Sequence, residues 1–106
     1  MKLGPKAIEG SKTIIVTVDH LNGDDSSFEI KTDKKYLSEA MEQEQLISGS
    51  ESEYGLMVET VDGETANESK QQWWGLYVNG DFGQNGVDTQ PIADGDVYEF
   101  KLNEGY

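Results

Sequence analysis

Hydrophobic and polar positions alternate with a period of two along most of this chain, and once they follow a period near 3.6. Thr13–Val18 is β-branched throughout, with Ile14, Val16 and Val18 on one face and Ile15 and Thr17 on the other, which predicts a strand. Asn22-Gly23-Asp24-Asp25 is turn chemistry, because Asn and Gly tolerate positive φ. Ser27–Thr32 alternates again, with Phe28 and Ile30 inward and Glu29 and Lys31 outward, so the two segments read as a hairpin. Thr32 and Asp33 offer an N-cap, and Leu37, Ala40, Met41 and Ile47, with Leu46 beside them, form a helical stripe. The predicted helix is Lys35–Ile47, ended by Gly49, and an acidic, serine-rich loop over 48–53 follows. Tyr54–Val61 predicts a strand with Tyr54, Leu56 and Val58 on one side and Met57 and Val61 on the other. Asp62-Gly63-Glu64 signals a tight turn, and 62–72 reads as polar loop. Trp73–Val78 is a strand, Asn79-Gly80-Asp81 a turn, and Phe82–Pro91 a glycine-bearing loop. Asp94-Gly95-Asp96 then leads into Val97–Leu102, where Tyr98, Phe100 and Leu102 share the inward face and Glu99 points out.

The order hairpin, helix, then three strand-like segments predicts an α+β domain: a β-grasp-like mixed sheet of four to five strands with one packed helix. The 106 residues suit one domain. It is expected over residues 13–106, with 1–12 an aperiodic tail or linker carrying Gly4, Pro5 and Gly10.

Charge narrows the partners. Twenty-one acidic residues face eight basic ones, all lysine, for a net charge of −13. Such a surface repels phosphate backbones and anionic bilayers, so neither nucleic acid nor a membrane surface is an expected partner, while cations are attracted. Without cysteine there is no disulfide, thiolate metal site or cysteine nucleophile, and His20 alone cannot make a multi-histidine zinc site. No stretch is apolar enough to insert in a bilayer, and the first residues lack a signal peptide's apolar run; a leader is expected to be absent from this chain.

The chemistry-bearing residues point away from catalysis. The carboxylate pairs Asp24/Asp25 and Asp94/Asp96 sit at glycine turns, where aspartates stay ionised and bond local backbone, whereas acid–base work needs a desolvated carboxyl. The same four aspartates cluster oxygens that suit a weak calcium site, although neither loop follows the EF-hand spacing; plain turn chemistry is the alternative. His20, beside the first turn, reads as a solvated or locally hydrogen-bonded histidine, with a metal or cobalt ligand and then a general base as the sharper alternatives. The most specific segment is Trp73-Trp74-Gly75-Leu76-Tyr77-Val78, which places its tryptophans on opposite faces of one strand. One can fill the core; the other, with Gly75 and Tyr77, lies on the helix or on a long loop, or offers an apolar platform to a ligand.

Several spaced motifs carry a resemblance: Trp73-Trp74-Gly75-Leu76-Tyr77-Val78-Asn79-Gly80, Gly86-Val87-Asp88, Ile92-Ala93-Asp94-Gly95-Asp96, Tyr98-Glu99-Phe100, and Tyr54-Gly55-Leu56-Met57-Val58. From about Thr13 onward the chain resembles bacterial domains of unknown function that are similar to the C-terminal β-domain of transcobalamin and intrinsic factor. The resemblance implies a β-grasp domain that closes over one side of cobalamin with its tryptophan strand and the following glycine loop. It places the ligand site on Trp73, Trp74, Tyr77, Phe82, Gly83, Gln84, Asn85, Gly86 and Val87, with cobalamin or another corrinoid as ligand. Where the carriers place bulky apolar residues before the matching glycine, this chain has Gly83, Gln84 and Asn85. The helical domain that supplies the other half of the carriers' pocket has no counterpart in this sequence. The resemblance also implies an exported or surface-attached protein, whose partner is a small molecule or a neighbouring domain of the same precursor. An extracellular, non-enzymatic ligand-binding module is therefore expected; an adhesion or structural module and a calcium-stabilised surface domain are the rivals.

Overall fold

The computed structural model describes residues 11–53, 55–83 and 85–105. The predicted hairpin forms from β1 (Lys12–Asp19) and β2 (Asp25–Thr32), in register from Lys12 opposite Thr32 to Asp19 opposite Asp25. After helix α1 (Leu37–Gln43) come β3 (Ile47–Ser52), β4 (Gly55–Val61), the short β5 (Glu64–Thr65), a 3-10 turn (Glu68–Lys70), β6 (Gln72–Val78), the short β7 (Asp81–Phe82) and β8 (Val97–Glu104). β8 lies parallel to β1 and antiparallel to β6, giving a mixed five-stranded sheet in the order β2-β1-β8-β6-β7. One helix packs on it, as the α+β, β-grasp-like expectation required. The separate three-stranded sheet β3-β4-β5 was not expected: Tyr54–Val61 was read as part of the main sheet.

Helix and loop boundaries also differ from the sequence reading. The helix ends at Gln43 rather than Ile47, because Gln45 takes the left-handed region (φ 58°). The Gln45 N–H then donates to the Glu42 carbonyl (3.0 Å) and the Leu46 N–H to the Met41 carbonyl (2.9 Å), the bond pair of a Schellman ending, with Gln where Gly is usual. Leu46 and Met41 are both buried, supplying the apolar contact of that motif. Ile47 thus belongs to β3, which occupies most of the segment expected as a loop over 48–53. Gly49 sits in the β3–β4 pairing, where a Cβ would run into the Met57 carbonyl. The ladder shifts register between Ser48 and Gly49 so that Glu59 is the extra residue on β4. That bulge inverts the alternation downstream of it. Leu56, Val58 and Val61 consequently all turn to the core, while Met57 is 56% exposed, so Val61 and Met57 do not share a face.

The hairpin turns at Asp62-Gly63 and Asn79-Gly80 follow their sequence signals. Both central residues of each have positive φ, the two-residue type that suits the twist of the flanking strands. The core lies between the main sheet and its cover. Ile14, Val16, Val18, Ile30, Tyr98 and Phe100 point up from the sheet, met by Leu37, Ala40 and Met41 of α1 and by Val61 of the second sheet.

Candidate functional site

The tryptophan strand β6 pairs with β8 along its whole length, from Gln72 opposite Glu104 to Val78 opposite Tyr98. That register puts Trp74, Leu76 and Val78 on the core face and Trp73, Gly75 and Tyr77 on the outer face. Both tryptophans are half-buried. The Trp73 ring nitrogen donates to the Gly105 carbonyl (2.9 Å), and that of Trp74 to the Glu59 carbonyl (3.2 Å) in the second sheet.

A cleft of about 380 Å³ opens beside β6. From the sequence-predicted set, Trp73, Trp74, Phe82, Gly83, Asn85, Gly86 and Val87 border it. Its opposite wall is Leu56, Met57 and Val58 of β4, which the sequence reading did not assign to a site. The strand itself was legible there, but nothing in its pattern told which part of the molecule would face it. Tyr77 does not line the cleft; its ring packs edge-on against Phe82 (centroids 5.6 Å apart, 77° between planes). Gln84 lies outside the described residues. The loop is held by α1: the Ser38 N–H donates to the Val87 carbonyl and the Leu37 N–H to the Gln90 carbonyl, both at 2.9 Å. Asp88 ties it to β4 by accepting from the Leu56 N–H (3.1 Å). Beyond Trp73 the cleft continues into a second hollow of about 840 Å³, bordered by Glu59, Asn67, Glu68 and Gln72, with Met57, Val58 and Trp73 shared between the two.

The four aspartates proposed for metal do not converge. Asp24 and Asp25 lie at the end of β1, while Asp94 and Asp96 lie by its start, where Asp94 accepts from the Thr13 N–H (2.7 Å). At a rise of ~3.3 Å per residue, the length of β1 separates the two pairs by about 20 Å. Asp96 is committed to structure: it accepts from the Ala93 N–H (3.0 Å), Asn79 (3.1 Å) and the Tyr98 hydroxyl (2.5 Å). Burial pushes its carboxyl up, but these bonds outweigh it and hold the group below the usual range. Among the described residues, no group of three or more His, Cys, Asp or Glu is placed to hold a metal ion.

Two arrangements were not visible in the sequence. The neighbouring Glu99 carboxyl of β8, together with burial, raises the Asp19 carboxyl above its ordinary value, opposed by Asp25 and Lys101. His20 is held between sheets: Nε2 lies 2.9 Å from Asp62 and Nδ1 2.6 Å from Glu64, and the ring edge meets Trp74 (centroids 6.3 Å). The bond to Asp62 raises the imidazole pKa; burial opposes, and Glu64 adds to the rise. Both nitrogens are engaged by carboxylates from the second sheet rather than by groups of the neighbouring turn, which corrects the local reading of His20, and they are satisfied together only by the imidazolium.

Comparison with known proteins gives several structural relatives, among them the following two. A protein from Ruminococcus gnavus ATCC 29149, described as a "putative metal binding protein", is 47% identical, with a TM-score of 0.88 over 91% of this chain and 100% of that one. Haptocorrin in complex with Cbi shares the fold at 16% identity and a TM-score of 0.77, over 90% of this chain and 25% of haptocorrin. No curated protein matches the chain. Among the described residues, no helix is long and apolar enough to cross a membrane. Residues 34–104 match the family described as "Domain of unknown function (DUF4430)", and the chain belongs to that family.

Proposed function

We propose that this chain is a non-enzymatic ligand-binding module whose site is the cleft beside β6, with a corrinoid as its ligand. The observation that carries this reading is the convergence of Trp73, Trp74, Phe82, Gly83, Asn85, Gly86 and Val87 on one cleft. The fold shared with haptocorrin supports it. The tryptophans and Phe82 supply flat apolar surface, Gly83 and Gly86 let a bulky ring approach the backbone, and Asn85 offers hydrogen bonds to peripheral amides. The acid excess suits an extracellular or surface-attached location, where a neighbouring domain of the same precursor would cover the ligand's other face.

With one ligand face left open, affinity for this domain is expected on the order of micromolar or weaker. Calorimetry with cobalamin and cobinamide tests it, using wild type and Phe82→Ala. Phe82 is 57% exposed at the rim, so its truncation should leave the fold intact and weaken binding about tenfold. No heat with either corrinoid at millimolar concentration defeats the reading; binding that ignores Phe82→Ala moves the site elsewhere.

Metal binding is a second reading, favoured by the description of the Ruminococcus gnavus relative. The described residues do not fit a dedicated centre, since the candidate aspartates are separated and largely committed to turns. Calcium is therefore expected to bind no tighter than about 10⁻⁴–10⁻³ M, the range of extracellular modules. A calorimetric titration giving micromolar affinity would contradict this.

A further inference from the structure

The cleft exposes backbone as well as side chains. On one side β6 is fully paired with β8, but on the other β7 covers only Tyr77 and Val78. Two hydrogen bonds show which main-chain groups point to that uncovered side. The Gln72 N–H donates to the Asn67 carbonyl (3.1 Å), and the Leu76 carbonyl accepts from the Gly83 N–H (2.8 Å). In an antiparallel ladder the direction repeats every second residue, so the N–H and C=O of Trp74, midway between them, point the same way. No strand among the described residues pairs with this stretch.

The facing wall is built alike. β4 is paired with β3 on one side; on the other, β5 and Ala66 cover Glu59 to Val61 and Asp88 takes the Leu56 N–H, so that among the described residues only the stretch at Met57 and Val58 is left without a partner strand or loop. Two strand edges thus border one cleft. The uncovered β6 edge, Trp73 to Gly75 with the N–H and C=O of Trp74 at its centre, carries none of the lysines, prolines or bulges that blunt sheet edges against pairing. Apolar surface at the rim, Met57 at 56% and Phe82 at 57% exposure, is placed to receive side chains of an incoming strand.

We propose that the cleft takes an extended, lysine- or arginine-bearing peptide segment, added as a strand against β6 in the manner of β-strand addition. Charge decides the composition: Glu59 and Glu68 border the adjoining hollow, no basic residue among the described ones lines either part, and the chain carries −13 overall. The same charge disfavours a second copy of this chain as the occupant. The proposal goes beyond the corrinoid reading and does not depend on it.

The test uses the intact chain and a lysine-flanked heptapeptide of alternating threonine and valine, followed by amide NMR and hydrogen exchange. A twin peptide, N-methylated at alternate residues on its pairing edge, keeps the side chains but loses the donors. A glutamate-flanked twin keeps the donors but reverses the charge. The first peptide is expected to shift amide signals from Trp73 to Leu76 and at Met57, and to slow Trp74 amide exchange about tenfold or more at saturation. The N-methylated twin should not bind, and the glutamate twin should bind at least about fivefold more weakly at low salt. No shifts at millimolar peptide, shifts away from β6, equal binding by the N-methylated twin, or equal binding by the glutamate twin would each overturn the proposal.

Discussion

Phe100→Ala is expected to lower the unfolding free energy by about 3–5 kcal/mol, as for other truncations of a buried aromatic. Glu99→Ala, one residue away, is expected to change it by less than about 0.5 kcal/mol. Phe100 is 1% exposed and sits in β8 between β1 and β6, opposite Val18 on one side and Leu76 on the other. Its ring therefore helps close the core at the centre of the main sheet, where strands on both sides restrict collapse of the vacated space. Glu99 lies on the outer face, half-buried beside Asp19. Removing its carboxyl relieves repulsion with Asp19, which offsets the small packing loss. Urea melts of the two variants check the contrast; equal losses would mean that the faces of β8 are reversed.

The second large effect is a dependence on pH. His20→Ala is expected to cost about 1.5–3 kcal/mol in mildly acidic solution, the worth of hydrogen bonds to charged groups, and clearly less in alkaline solution. The imidazolium donates to Asp62 and Glu64 and so joins β1 of the main sheet to the hairpin between β4 and β5. Its pKa is raised in the folded protein above the ordinary 6.5. The contribution is therefore fully present below that ordinary value and is lost as pH rises through the folded one. Beyond that point one ring nitrogen becomes an acceptor facing a carboxylate oxygen. Wild-type stability should fall across this window, and the variant should lack the fall. The Asp19 and Asp25 carboxyls are also raised, so the quantity to read is the difference between wild type and variant from about pH 6 to pH 9, where an imidazole titrates. A pH-independent difference between wild type and His20→Ala would show that the ring acts by packing alone. Because the His20 ring also meets Trp74, loosening this joint should be felt at the cleft wall.

The part of the fold that is legible in residue order is local. Alternation over Thr13–Val18, Ser27–Thr32, Trp73–Val78 and Val97–Leu102 set the main-sheet strands and which side chains share a face, because a strand's side chains alternate whatever it packs against, while which face of Trp73–Val78 turns inward was left to the packing. Asp62-Gly63 and Asn79-Gly80 marked hairpin turns, since positive φ is costly for most other residues. The tryptophan strand and the glycine loop, both legible in the sequence, border one cleft. Tertiary structure decided the rest. The bulge at Glu59 turned Val61 inward, and the left-handed Gln45 ended the helix early; neither residue type announces that conformation, and in both places buried Leu46, Ile47 and Val61 set where the chain must go. The opposite wall of the cleft, Leu56, Met57 and Val58, depended on where a second sheet docks. His20 met Asp62 and Glu64 across more than forty intervening positions, and the paired aspartates at 24/25 and 94/96 were parted by the length of β1. Residue types and spacing specify what each segment can do, but distances between segments arise only when the apolar faces of separate elements are buried together.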